Sequence, residues 1–367
     1  MSKARQLADN AAAEPNKNMV INGAMQVNQR GDVTGKTSST YGGPDRFALG
    51  ITSHGTYSIS QSTTVPTGYG FPNSYKLDCT TADTSIAASA EVTIQYKMEG
   101  QDLQRLKKGT SSAEAVTISF WCKSNLTGTY TLEIYDSDNT RHFPQNYTIS
   151  SADTWEHKVL TFAGDTTGAF TNDNNHSAVL VWWLAAGSNY TGGTQSTAWA
   201  SASSANTRVS SSIVNMSSST SNEFLLTGVQ MEIGSYNTPF EFESYATTLR
   251  KCYRYCQRIP PTTETSGSGY NVIGNGYNNT TTGALAITDH YETFRADPTL
   301  TNSGSFRIHH VNAAIACSSA TTLDDNTSSK HCSLLVGTVS SGLTAGQGSS
   351  LEQNNDTDAH IILDAEL

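Results

Sequence analysis

The chain has 367 residues, 36% hydrophobic and 15% charged, with a formal net charge of −10, a length that suits two domains. Ser and Thr make up about a quarter of it, a composition of strands joined by polar turns, unlike that of helical enzymes. No apolar run approaches the ~20 residues of a membrane helix, MSKARQLADNAAAEPNKN lacks the apolar stretch of a secretory signal, and the clustered Lys and Arg that bind phosphate backbones are missing. The reading is therefore of a protein with no membrane insertion and no nucleic-acid partner. Its six cysteines are too sparse for a disulfide scaffold and read as reduced thiols.

In chain order, residues 1–17 form a polar, Ala-rich arm, read as a short helix or flexible segment. From residue 18 to 243 short runs alternate apolar and polar positions between Gly, Pro, Asn and Asp clusters. These are Tyr57–Ser60, Val92–Tyr96, Val116–Trp121, Tyr130–Tyr135, Trp155–Phe162 and Phe224–Glu232, and each carries the period of a half-buried strand. Ala178–Leu184 is apolar on both faces and belongs in the middle of a sheet. Strands at this spacing predict a β-sandwich or jelly roll. The Ser/Thr/Gly/Asn-rich stretch from Gly187 to Ser221 interrupts the rhythm, as long functional loops do.

Residues 244–261 read as a helix and linker. Leu249, Cys252, Tyr253 and Cys256 share one helical face over Ser244–Arg258, and Pro260-Pro261 stops it. Residues 262–367 then predict a smaller β-rich domain, with strands near Ala284–Thr288, Ser305–Val311, Ser333–Val339 and His360–Leu367. The fold expected overall is all-β, a jelly-roll sandwich with a short helix and a second β-rich domain.

Asn18-Met19-Val20-Ile21-Asn22-Gly23-Ala24-Met25-Gln26-Val27-Asn28-Gln29-Arg30-Gly31 resembles the opening of many bacteriophage tail-fibre and virion proteins, with Asn28 where an aromatic often stands. Pro44-Asp45-Arg46-Phe47 is similar to the element that follows it there. Gly228–Gly234, Thr238-Pro239-Phe240-Glu241, Leu249 and Cys252–Tyr255 are similar to the closing motif, and Phe294–Leu300 to the start of a fibre-tip domain. The resemblance implies a carbohydrate-binding-module-like jelly roll, an arm that docks to other virion proteins, a homotrimer, and assembly into a virion from the cytoplasm of a bacterial host.

No nucleophile elbow, zincin motif, Walker loop or dinucleotide fingerprint is present. Neither a catalytic residue nor a metal ligand nor a cofactor is assigned, and the protein is read as no enzyme. His309-His310, neighbours in a strand, point to opposite faces and suit one metal poorly. Cys252 and Cys256 read as packing residues. Sugars offer apolar faces to Trp and Tyr rings, so aromatics are the candidate glycan contacts. Trp121 and Trp155 read as core. Trp182 and Trp183 face opposite sides of a strand, one to the core and the other to solvent or a neighbouring subunit. Tyr190 and Trp199, in the long loop, are the leading contacts, and Tyr270 and Tyr277, in the Asn/Gly-rich C-terminal loops, are the alternative. Three functions follow: a tail fibre attaching to a host surface glycan, an architectural decoration or connector of head or tail, and, remotely, a glycan hydrolase whose paired carboxylates the sequence does not single out.

Overall fold

Strict alternation of apolar and polar residues forces a strand to bury one face, and the computed structural model pairs these faces in two sheets. It describes residues 17–261, 269–311, 313–318, 322–323 and 330–367; the N-terminal arm up to residue 16 and the linker 262–268 lie outside the described residues. The chain divides into two units, the first running to Thr248 with Leu367, the second from Leu249 to Glu366.

The first unit contains β1 (Val33–Lys36), β2 (Thr40–Tyr41), β3 (Phe47–Thr52), β4 (Thr56–Ser62), β5 (Ser74–Thr81), β6 (Glu91–Glu99), β7 (Val116–Ser124), β8 (Gly128–Asp136), β9 (Arg141–Ile149), β10 (Glu156–Phe162), β11 (His176–Ala186), β12 (Ala200–Ser201) and β13 (Glu223–Ile233). Sheet I has the order β1-β4-β5-β13-β7-β10 and sheet II the order β12-β9-β8-β11-β6-β3-β2, with antiparallel pairing along both ladders. The chain changes sheets repeatedly, from β3 to β4, β5 to β6 and β7 to β8, which is the winding of a jelly-roll sandwich. Between the sheets lie Ile118, Phe120 and Cys122 of β7, Tyr130, Leu132 and Ile134 of β8, and Leu180, Trp182 and Leu184 of β11, all buried.

β11 is central in sheet II, as its two apolar faces predicted. Its outer residues Val179, Val181 and Trp183 form a separate cluster with Val209 from the 187–221 segment. That segment holds a short helix, α1 (Ser188–Thr191), and β12, and it covers the sheet instead of leaving it to solvent.

Helix α2 (Tyr245–Tyr253) is shorter than the expected Ser244–Arg258. Tyr255 N donates to Cys252 O to close the turn, and Cys256–Ile259 is a strand, β14, paired with the last strand of the chain. The long-range ladder outweighs helical spacing here, so Cys252 and Cys256 do not share a helix face, though both are buried.

The second unit continues with β15 (Val272–Asn278), β16 (Gly283–Asp289), β17 (Thr299–Ser303), β18 (Phe306–His310), β19 (Ala313–Ala316), β20 (Thr322–Leu323), β21 (Cys332–Thr338), β22 (Gly348–Gln353) and β23 (His360–Asp364). Sheet III has the order β14-β23-β17 and sheet IV the order β19-β18-β22-β15-β16-β21-β20. Ile361 and Leu363 of β23 share a buried cluster with Ile308, Leu335 and Leu351 of sheet IV. Among the described residues no helix is long and apolar enough to cross a membrane.

Candidate functional site

The aromatic residues singled out in the sequence do not converge. Trp182 is fully buried at the centre of the sandwich, edge-on to Phe120 with centroids 5.8 Å apart. It is a core residue and is withdrawn as a glycan contact, because the inward parity of β11 sets it between the sheets. Trp183, expected at solvent or a neighbouring subunit if Trp182 is core, is buried under the chain's own loop.

Tyr190 lies half-buried against Trp183 at 4.9 Å between centroids, below the Arg208 guanidinium. Trp199 is also half-buried: its Nε1 donates to Ala163 O at 2.7 Å, and its ring meets Phe143 edge-on. The cavity beside it, lined by Leu106, Lys108, Ile134 and Phe170, measures about 20 Å³. That is room for little more than a water, whereas ligand pockets run to roughly 300–1,000 Å³.

Under the loop sits a buried polar network. Glu133 accepts from Trp183 Nε1 at 2.9 Å, from Arg208 Nε at 2.7 Å and Nη2 at 2.8 Å, and faces His142 Nδ1 at 3.0 Å. His142 Nε2 lies 3.3 Å from Ser196 Oγ and 3.2 Å from Thr207 Oγ1. Serine, histidine and glutamate thus follow one another as in a hydrolase relay. However, Thr207 competes for the same ring nitrogen, Arg208 already neutralises the carboxylate, and the imidazole is fully buried. The arrangement fits a fastening of the loop to the sheet better than a relay.

A different surface carries exposed aromatics. On the outer face of sheet I, Trp121 of β7 stands directly across from His157 of β10, with ring centroids 5.0 Å apart. Tyr69, 55% exposed, lies 4.3 Å from Trp121. Trp121 is half-exposed, not core as its strand setting had predicted; Trp155 is likewise only half-buried, just ahead of β10. Burial of its ring face lowers the pKa of His157 below the usual histidine value, which favours the neutral ring.

Two glycines of left-handed φ, Gly68 and Gly70, turn the loop that presents Tyr69. Gly228, also left-handed at φ 62°, lies under the platform; a Cβ there would sit 2.6 Å from Phe71 Cζ and 3.1 Å from Trp121 Cδ1. Phe71 and Trp121 can therefore approach β13 this closely only over a glycine, where that strand's register to β7 shifts.

The opening and closing motifs lock to each other. Asn18 Nδ2 donates to Val229 O and Asn18 Oδ1 accepts from Met231 N, while Asn18 N donates to Glu241 Oε2. Asn22 bridges Val27 and Asp45, and Gln29 binds the Asp45 carboxylate through both its backbone and its side chain. Gly23 packs where a Cβ would be 2.1 Å from Val229 O. These residues tie the two ends of the sandwich together.

In the second unit Tyr270 stacks on the Arg307 guanidinium at 4.1 Å, and Arg307 in turn binds Glu352. Tyr277 is exposed on the outer face of sheet IV. His309 faces Glu352, and its neighbour His310 points to the other face. Among the described residues no group of three or more potential metal ligands occurs.

No protein-family model and no curated protein matches the chain. Among solved structures, it is similar to the enzymatically active domain of tailspike protein 4 of bacteriophage CBA120, at 14% identity and a TM-score of 0.31, over 60% of this chain and 22% of that one. The chain thus spans about a fifth of that domain's length. It is similar to a CBM4 structure at 12% identity and a TM-score of 0.29, over 58% of this chain and 98% of the other. It is also similar to the family 11 carbohydrate-binding module of a cellulosomal cellulase from Clostridium thermocellum, at 12% identity and a TM-score of 0.27, over 56% and 98% respectively. The class that the strand order defines is the jelly-roll β-sandwich, and the chemistry of the surface rests on its own side chains.

Proposed function

We propose that the chain is a non-enzymatic fibre protein of a bacteriophage virion, working as a homotrimer docked through its N-terminal arm, and that it attaches to a host surface glycan through Tyr69, Trp121 and His157. The observation that supports glycan binding is the Tyr69–Trp121 pair, two rings 4.3 Å apart on an outer sheet face, with Lys123 and His157 beside Trp121 on the same face. Two rings tilted by 50° to each other, with flanking polar groups, suit weak sugar stacking, which three copies would convert to avidity. The motifs at 18–47 and 228–255 support the virion assignment.

The second reading, an architectural connector, is favoured by Phe71, Phe240 and Phe242, which cluster with centroids 4.9–5.2 Å apart and leave Phe242 exposed. Competition for adsorption separates the two. Full-length protein, pre-mixed with host cells, is expected to reduce phage adsorption in proportion to dose. Tyr69→Ala and Trp121→Ala should each weaken this about tenfold, the equivalent of 1.4 kcal/mol, with the melting temperature of Tyr69→Ala unchanged. A folded wild-type protein that leaves adsorption untouched would shift the assignment to the connector.

A further inference from the structure

The two faces of sheet IV are loaded in the reverse of the usual order. β16 points Ala284 and Ala286 into the core of the second unit, and Leu285 and Ile287 outward. Next to it, β21 buries Ser333, Leu335 and Gly337 and turns Leu334 and Val336 out. Register places these outward residues together: Tyr277 opposite Leu285 opposite Val336, and Asn275 opposite Ile287 opposite Leu334. Val272 lies on the same side, and Val272, Tyr277 and Ile287 are 51%, 51% and 54% exposed.

The larger apolar side chains of β16 are therefore the ones in water. An antiparallel sheet with one solvated face is normally polar on that face, and a contiguous apolar patch marks an interaction site.

The occupant follows from composition and charge. The segments of this chain that flank these strands and lie outside the described residues, 262–268 (TTETSGS), 319–321 (SAT) and 324–329 (DDNTSS), are polar or small and offer no apolar cover. Copies of a chain with net charge −10 repel one another, so a contact between copies needs a face where acids are few or neutralised. This face meets that need. Its centre is uncharged, and Glu352 at its border is neutralised by Arg307 at 2.6 Å and contacted by His309. Asp289 lies at the opposite border. An apolar, charge-poor face is the kind that identical subunits share, whereas a partner selected by charge would find no pattern to read.

We infer that the outer face of β15, β16 and β21 is where copies of this chain meet. The Tyr277 ring then belongs to the contact between copies. This face shares no residue with the Tyr69–Trp121 pair, so the loss of either function leaves the other measurable.

The test is the mass of the full chain in solution, by light scattering on a sizing column at micromolar concentration, for wild type and for Ile287→Lys combined with Leu334→Glu. Wild type is expected at three times the chain mass, as the proposed homotrimer requires, and the double variant at the chain mass, with an unchanged circular dichroism spectrum. Tyr277→Lys alone, at an exposed position with little bearing on folding, is expected to shift the equilibrium the same way. Val159→Lys, on the exposed edge of the sandwich, should keep the wild-type mass. A monomeric wild type, or a double variant or Tyr277→Lys that retains the wild-type mass, would overturn the inference.

Discussion

Lys108→Met is expected to lower the unfolding free energy by about 3–5 kcal/mol, the usual consequence of removing one member of a buried charged pair. The Lys108 ammonium is held by four oxygens: Asp136 Oδ2 at 2.5 Å, Asp165 Oδ2 at 3.2 Å, Thr167 O at 2.9 Å and Gly168 O at 2.7 Å. Its side chain and both carboxylates are almost fully buried. Asp165 would keep Arg141 as a partner at 2.7 Å, but Asp136 would be left with hydrogen bonds from Asn139 and no counter-charge. Lys108→Arg keeps the charge yet brings a planar fork into a cage fitted to a compact ammonium, so it should recover only part of the loss. Denaturant unfolding measures both. A change below about 1 kcal/mol for Lys108→Met would mean that water replaces the ammonium at little cost.

Glu133→Ala should be of similar size, about 3–5 kcal/mol, with a distinct signature. It leaves the Trp183 indole, the Arg208 guanidinium and His142 without their shared acceptor, so the 187–221 segment loses its fastening while the sandwich core is untouched. Limited proteolysis should then cut first within this segment, and a variant whose segment stays protected would show that Tyr190 and Val209 hold it unaided.

The same carboxylate also sets a pH dependence. Burial by itself would raise the Glu133 pKa, but Arg208 and His142 outweigh it and hold the group below the ordinary carboxylate range; against the same burial, Asp165 is lowered by Arg141, the Thr167 N–H and Lys108, and Glu352 by the Ser350 hydroxyl, Arg307 and His309. A carboxyl whose folded pKa is depressed contributes stability that is present above its unfolded pKa, about 4, and is lost as pH falls through the folded one. Melting temperature should therefore fall increasingly steeply below about pH 4, and the Glu133→Ala protein should show a shallower acid limb.

Much of the sandwich was legible because one-sided burial writes itself into alternation. Val116–Trp121, Tyr130–Tyr135 and Phe224–Glu232 all lie within observed strands. β9, with Pro144 inside it, and the Gly-rich β15 show no such pattern, since hairpin pairing with β8 and with β16, and for β15 also with the distant β22, holds them in place despite their composition. The candidate surface was harder to read. Parity along β7 sets Trp121 with Thr117, Ser119 and Lys123, away from Ile118 and Phe120, but an aromatic inside a strand run reads as core, as Trp121 does. No pattern in the sequence brings Tyr69, fifty-two positions earlier, over its ring. Tyr190 and Trp199 misled in the other direction: a polar loop suggests exposure, and here it lies down on a sheet whose outer face is itself apolar.

The lock between the first and last segments of the sandwich has a mechanical consequence. Lys17 bonds Thr238 and Pro239, Asn18 bonds Glu241, and Met19 N donates to Met231 O at 2.9 Å. Tension on the chain therefore enters and leaves at neighbouring points and passes between them through these hydrogen bonds and the end of β13. A pull on this unit loads that handful of hydrogen bonds first, before the ladders that join β13 to its neighbours.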